Sequence, residues 1–121
     1  MQIGELAEAV GLSLRTIRHY DDVGLLPASR TEGGYRVYTD EDLRRMLAIR
    51  TLKPLGFSLE EMRGILDTID AVRADPDDAA ARERLRAFTG EIAAKRQRLA
   101  VDLERATGLV GQLRDLAGES D

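Results

Sequence analysis

The chain has 121 residues, a formal net charge of −4, and 43% hydrophobic and 33% charged residues. This length suits one compact domain or a small domain with an extended arm, and the charged fraction favours long solvated helices. Because the sequence has no cysteine and His19 as its single histidine, it excludes disulfides, thiolate metal sites and histidine-rich metal sites. We therefore expect no metal site and no cofactor.

The N-terminal sequence and the distribution of charge limit the possible functions further. The N-terminal sequence MQIGELAEAV contains two acidic residues and no long apolar run, so we expect no signal peptide, no membrane partner and a cytoplasmic location. A negative net charge argues mildly against nucleic-acid binding. Residues 15–53, however, hold 8 basic and 6 acidic residues, so any basic surface is a local patch in this segment.

The first 22 residues predict two helices joined by a glycine turn. The apolar residues of the first helix follow helical spacing at Ile3, Leu6, Ala7 and Val10. Gly11 can end that helix, and the Ser13 hydroxyl can cap a second helix that runs to about Asp22. This pattern is typical of a helix-turn-helix.

The second helix, with the sequence SLRTIRHYDD, has the features of a DNA recognition helix. We expect Leu14 and Ile17 to anchor it to its neighbours. The candidate DNA-contacting residues on it are Arg15, Thr16, Arg18, His19 and Tyr20. Arginine can bind guanine edges or phosphates, and the tyrosine hydroxyl can reach a phosphate oxygen. The alternative is that the arginines are solvated charges paired with Asp21 or Asp22.

The next segments predict a β-hairpin and two further helices. LLPASRTEGGYRVYT combines a glycine pair with the short strand YRVY, which indicates a hairpin, or wing. Thr39 is the expected N-cap of the third helix, and Ser58 with Glu61 forms a capping box for the fourth.

The last segment predicts one helix of about 41 residues, from a cap at Asp75 with Pro76 at its first position to about Ala117. A stripe with coiled-coil spacing follows it, with Arg96 as the polar position. The expected interface residues are Leu85, Phe88, Ile92, Leu99, Leu103, Ala106, Val110 and Leu113. A small domain cannot cover so long a stripe, so we expect a homodimer; the alternative is an intrachain hairpin broken near Gly108. The expected domains are residues 1–74 and 75–121.

Four segments in this order, GELAEAVGLS, TIRHYDDVGLL, GGYRVYTDEDLRRM and LKPLGFSLEEMRGIL, resemble the DNA-binding region of the MerR family of bacterial transcription regulators. The resemblance covers about the first half of the chain. It implies a mainly α fold, in which a winged helix-turn-helix precedes a long antiparallel coiled-coil dimerisation helix. One departure is His19, which stands where the family has the first residue of an aromatic pair.

The resemblance also implies roles for individual residues and partners. Tyr35 and Arg36 in the wing would contact the DNA backbone, and Lys53 would contact a second phosphate. Tyr38 is either structural or a DNA contact, and Lys53 has the alternative of complementing a helix dipole. Arg44, Arg45 and Arg50 are weaker candidates. The implied partners are near-palindromic promoter DNA, which the dimer distorts, and RNA polymerase.

Three sources of a regulatory signal stay open. A small apolar ligand could bind between the coiled coil and the DNA-binding lobe, the signal could be protein abundance or a partner protein, or the chain could be part of a longer one. Of these, we favour a protein without a dedicated small-molecule domain. The alternative function is a coiled-coil adaptor without DNA binding. The sequence shows no phosphate loop or activated nucleophile, so we do not expect an enzyme.

Overall fold

The computed structural model describes residues 1–26, 29–30, 34 and 36–119. The elements are α1 (Ile3–Val10), α2 (Leu14–Asp22), β1 (Ser29–Arg30), β2 (Arg36–Val37), α3 (Asp40–Leu52), a 3₁₀ turn (Lys53–Leu55), α4 (Leu59–Ala74) and α5 (Ala79–Leu116). The two short strands pair antiparallel, with Ser29 opposite Val37 and Arg30 opposite Arg36. This order confirms the predicted mainly α fold, a winged helix-turn-helix followed by a long helix.

Local capping sets the helix boundaries at the start of the chain. Gly11 ends α1 in the left-handed conformation, with φ of 68°, and its N–H donates to the carbonyl of Ala7 at 2.9 Å. The Ser13 Oγ accepts from the N–H of Thr16 at 3.1 Å and so caps α2. Both features were predicted, because each depends only on residues a few positions apart.

The later caps follow the same rule. Thr39 and Asp42 form a capping box at α3, with N–H to side-chain oxygen distances of 3.2 and 2.8 Å. Ser58 and Glu61 form the predicted capping box at α4, with distances of 3.1 and 2.9 Å. These caps satisfy backbone donors that the first turn of a helix leaves without partners.

One apolar core joins α1 to α4 and the segments between them. It is built mainly from aliphatic side chains, with Tyr20, Tyr38 and Phe57 as its aromatic members. The buried cluster comprises Leu6, Val10, Ile17, Tyr20, Leu25, Leu26, Tyr38, Met46, Ile49, Leu52, Phe57, Met62, Ile65 and Leu66. Tyr38 is 2% exposed, which supports the structural alternative for this residue.

Two arginines from α3 and α4 close the C-terminal ends of the first two helices. The Arg50 Nη1 donates to the carbonyl of Val10, the last residue of α1, at 2.6 Å. Arg63 donates to the carbonyls of Val23 at 2.7 Å and Gly24 at 3.2 Å, just after α2. Carbonyls at a helix C-terminus lack partners within the helix, and a cation there also complements the helix dipole. The two longer helices therefore hold the two short ones in place.

Arg45 makes a third connection of this kind. Its Nε donates to the carbonyl of Leu25, and its Nη atoms lie 2.7 Å from Asp70 and 3.0 Å from Asp67 on α4. The Arg45 side chain is 9% exposed. Of the weaker candidates for DNA binding, Arg45 is engaged within the chain, whereas the exposed Arg50 uses one donor on the carbonyl of Val10, so its DNA contact stays a prediction.

The long helix begins three residues later than predicted from a first position at Pro76. The Asp78 Oδ1, and not that of Asp75, caps the helix by accepting from the N–H of Ala81 at 3.0 Å. Asp75 instead accepts from the N–H of Asp77 at 3.1 Å, and its carbonyl accepts from the N–H of Asp78 at 3.1 Å. The two bonds close a turn over Pro76, so α5 has 38 residues in place of about 41.

The start of α5 packs back onto its own chain. Phe88 and Ile92 lie against the core cluster, and a Cβ added to Gly64 on α4 would lie 3.4 Å from the Phe88 ring. Lys95 lies over the Phe57 ring, with its Nζ 4.7 Å from the ring centroid. Phe88 and Ile92 are thus half-buried by contacts within the chain, and their place in the dimer interface stays a prediction.

We expect Arg45→Ala to lower the free energy of unfolding by about 2 kcal/mol, because it leaves the carbonyl of the fully buried Leu25 without a partner. The measurement is urea unfolding followed by circular dichroism at one fixed protein concentration. Arg44→Ala is the matched control, because Arg44 is the exposed neighbour on the same helix and should change stability by less than about 0.5 kcal/mol. Equal losses in the two variants would contradict this role of Arg45.

Candidate nucleic-acid interface

The exposed face of α2 carries most of the predicted recognition residues. Arg15, Arg18 and His19 are exposed and Thr16 is half-buried. Among the hydrogen bonds and ion pairs of the described residues, none uses the side chain of Arg15 or Arg18. The Thr16 hydroxyl lies 2.9 Å from that of Ser13, at the start of the helix. The structure therefore leaves two guanidinium groups of one short helix open to solvent.

Leu14 and Tyr20 of α2 differ in exposure from the prediction. Ile17 is fully buried, as expected, but Leu14 is 40% exposed and does not anchor the helix. Leu14 is the first residue of α2, and Leu12 before the cap packs against the core in its place. Tyr20 is 7% exposed, so its ring packs in the core. Only the small exposed part of this side chain could contact a phosphate. The His19 ring lies beside that of Tyr20, with 5.4 Å between their centroids.

The wing is joined to the recognition helix through a carboxylate. The Arg36 Nη1 donates to the Oδ2 of Asp21 and lies 3.8 Å from the Oδ1 of Asp22. The Tyr38 hydroxyl donates to the same Asp21 oxygen at 3.0 Å. Sequence analysis considered these aspartates as partners of Arg15 or Arg18, whereas the structure pairs them with the wing. Tyr35 lies outside the described residues.

The protonation states at this junction follow from its contacts. The Asp21 charge beside it raises the pKa of the Arg36 guanidinium. Burial raises the pKa of the Tyr38 hydroxyl, and its hydrogen bond to Asp21 raises that pKa further. Arg36 is therefore cationic, and Tyr38 is neutral and able to donate, near neutral pH.

The N-terminus forms the other side of this junction. The Met1 ammonium donates to the carbonyl of Tyr38 at 2.6 Å, and the Tyr38 N–H donates to the carbonyl of Met1 at 2.7 Å. A groove of about 630 Å³ lies beside these contacts. Its lining includes Gln2, Ile3, Arg18, Asp22, Arg36 and Tyr38. The groove brings Arg18 of α2 and Arg36 of the wing to one depression, which sequence reasoning did not predict.

The remaining candidate, Lys53, lies at the end of α3. It is exposed, and its carbonyl accepts from the N–H of Gly56 at 3.1 Å across the 3₁₀ turn. Its ammonium group takes part in no ion pair within the described part of the chain. The structure thus leaves both expectations for Lys53 open: a phosphate contact, or a charge that complements the α3 dipole.

Comparison with known proteins decides the family. The model for "MerR HTH family regulatory protein" matches residues 1–69, and the model for "MerR, DNA binding" matches residues 43–104. The chain belongs to the MerR family. The match confirms the resemblance inferred from the sequence.

Individual MerR-family relatives agree with this assignment. Nodulation protein NolA of Bradyrhizobium sp. (strain NC92) is 40% identical over 121 residues, which cover 99% of this chain and 44% of NolA. The chain thus spans less than half the length of the NolA proteins it matches.

Two solved structures share the architecture. A MerR family transcriptional regulator from Listeria monocytogenes superposes with a TM-score of 0.76 at 26% identity, covering 97% of this chain and 86% of that one. HiNmlR, a MerR family regulator lacking the sensor domain and bound to promoter DNA, gives a TM-score of 0.72 at 28% identity, covering 98% and 91%.

Two other features are absent from the described residues. Across the described residues, no group of three or more His, Cys, Asp or Glu side chains is placed to hold a metal ion. None of the helices in the described ranges combines the length and the hydrophobicity that a membrane span requires.

Proposed function

We propose that this MerR-family chain is a transcription regulator that binds near-palindromic promoter DNA as a homodimer and distorts it. The proposal rests on the exposed guanidinium groups of Arg15 and Arg18 on the second helix of a helix-turn-helix, which have no partner among the described residues. Such a helix enters the major groove and presents its N-terminal residues to base edges. HiNmlR, which shares this architecture, is bound to promoter DNA.

The residues divide into two kinds of contact in this proposal. Arg15, Thr16, Arg18 and His19 would reach base edges or nearby phosphates from α2. The proposed backbone contacts are Tyr20, Tyr35, Arg36 and Lys53, which would fix the position of the protein on the duplex. Residues 1–74 would form the DNA-binding domain, and residues 75–121 would form the dimerisation helix.

The exposed stripe of α5 supports the homodimer. Beyond its contact with α4, the helix presents Leu99, Leu103, Val110 and Leu113, each between 45% and 69% exposed. Ala106 lies on the same stripe, and the half-buried Leu85 lies at its start. A helix of 38 residues is about 57 Å long, so most of it extends past the small domain. A second copy of the same helix, running antiparallel, would cover the stripe.

The mode of action follows from distortion of the DNA. Smooth bending of a short DNA site costs about 1–6 kcal/mol, and contacts to phosphates would offset this cost. A distorted promoter would then be presented to RNA polymerase. We propose a regulatory role without catalysis, carried out in the cytoplasm, where promoter DNA lies in a bacterium.

The first test is binding to DNA measured by fluorescence anisotropy at several salt concentrations. The probes are a duplex from the promoter of the chain's own gene, duplexes enriched by the protein from a random library, and a scrambled duplex. We expect a preferred sequence, and affinity that falls steeply with salt because bound cations release counterions. If no sequence is enriched, and the promoter duplex binds like the scrambled one, the proposal is wrong and the adaptor alternative takes its place.

Arg18→Ala and Lys53→Ala should affect binding differently. The first should cost about 1–3 kcal/mol per site and relax the base preference, because it removes a contact to base edges. The second should weaken binding to all sequences alike and lower the salt slope by about 1 per protomer. Anisotropy titrations on the preferred and scrambled duplexes separate the two effects. Equal loss and equal slope would contradict this division.

Leu103→Asp should convert the dimer into monomers of 13.4 kDa, because it places a charge in the middle of the apolar stripe. Light scattering at several protein concentrations measures the mass. Gln112→Asp is the matched control: residue 112 lies nine positions further on, about 180° around the helix, so it should leave the dimer intact. A dimer that survives Leu103→Asp would show that the stripe is not the interface.

A further inference from the structure

Arg36, the proposed backbone contact of the wing, is held by the recognition helix. Its Nη1 donates to the Oδ2 of Asp21, and the same oxygen accepts from the Tyr38 hydroxyl at 3.0 Å. The Asp21 side chain is 11% exposed and Tyr38 is 2% exposed. Asp21 is therefore a largely buried carboxylate that binds two donors, one on β2 and one directly after it.

The position of this carboxylate is unfavourable for DNA binding on charge alone. Asp21 lies three residues after Arg18 on the helix that would enter the major groove, where a negative charge repels phosphates. Two adjacent aspartates, Asp21 and Asp22, stand at this place. Only Asp21 is buried and bound by two donors, whereas the Asp22 side chain is 68% exposed and lies 3.8 Å from Arg36 without a hydrogen bond to it.

The geometry of Arg36 leaves room for a second anion. A guanidinium group has five N–H donors in a fixed plane, and Asp21 uses one of them. The Arg36 side chain is 35% exposed and lines the same groove as Arg18. It can therefore hold the carboxylate and a DNA phosphate at the same time, and the carboxylate fixes the direction in which the remaining donors point.

We propose that Asp21 is a positioning residue that sets the direction of Arg36, so that the wing and the recognition helix hold the DNA backbone in one fixed geometry. The inference rests on the proposed DNA-binding function. Because the orientation of Arg36 is set before binding, its donors would bind a phosphate of the preferred site better than a phosphate placed differently in other sites. Asp21 thus contributes to specificity at the expense of general affinity.

The test measures the ratio of affinities for the preferred duplex, enriched from a random library, and for the scrambled duplex. Asp21→Asn keeps the size of the side chain, removes the charge and weakens the hold on Arg36. We expect it to lower the ratio by about tenfold, the worth of one charge-assisted hydrogen bond. Asp22→Asn is the matched control. Asp22→Asn also removes one negative charge from α2. Because that charge repels phosphates, affinity should rise for both duplexes and their ratio should stay constant.

A double-variant cycle separates positioning from a general structural role. In an Arg36→Ala background, Asp21→Asn should leave the ratio unchanged, because Asp21 acts through Arg36. A further fall in that background would show that Asp21 supports the fold and not Arg36, and would overturn the inference. So would an Asp21→Asn variant that behaves like Asp22→Asn, because Asp21 would then only compete with phosphate for the guanidinium.

Tyr38→Phe provides a second route if Asp21→Asn does not fold. It removes the hydroxyl that holds Asp21 and keeps the buried ring, so the ratio should fall when Arg36 is present and stay constant when residue 36 is alanine. A constant ratio in both backgrounds would contradict the inference. These outcomes differ from failure of the proposed function, which would appear as a wild-type protein that enriches no sequence.

Discussion

The architecture depends on hydrogen bonds that run from arginines on the longer helices to the carbonyl ends of the shorter ones. α1 and α2 have 8 and 9 residues, lengths at which an isolated helix is unstable in water. Arg50 binds the end of α1, and Arg63 binds the end of α2. Arg45 then ties the segment after α2 to α3 and α4. Contacts at the C-terminal end of α2 thus hold its orientation, and its opposite face stays exposed.

This arrangement also accounts for two exposed arginines without an acidic partner, among the described residues, in a chain of net charge −4. Several acidic side chains are used within the structure: Asp67 and Asp70 bind Arg45, and Asp21 binds Arg36. Arg15 and Arg18 have no such partner among the described residues. Net charge counts every residue equally, whereas DNA experiences the exposed and unpaired charges at short range. The net charge of the chain therefore does not describe the charge on the exposed face of α2.

Local features were predictable, and long-range pairings were not. The caps at Ser13, Thr39 and Ser58 follow from residues three positions apart, so the sequence located these helix starts. The same local reasoning failed at Pro76, because two nearby aspartates could each cap α5 and only the surrounding turn selects Asp78. The roles of the arginines depend on partners 15 to 40 residues away, which no spacing rule identifies. The order of the elements could therefore be predicted from the sequence, whereas the arginines that bind the chain's own backbone could not.

In the proposed dimer, the division of α5 into a first part that packs on α4 and an exposed remainder would set the distance between the two DNA half-sites. In an antiparallel pair of α5 helices, the first part of each helix would be attached to one DNA-binding domain, so the overlap of the two helices would determine the distance between the two domains. A slip of one heptad changes that distance by about 10 Å. This equals about three base-pair steps along the duplex. Insertions or deletions within α5 would then change the half-site spacing of the proposed dimer without altering any residue proposed to contact a base.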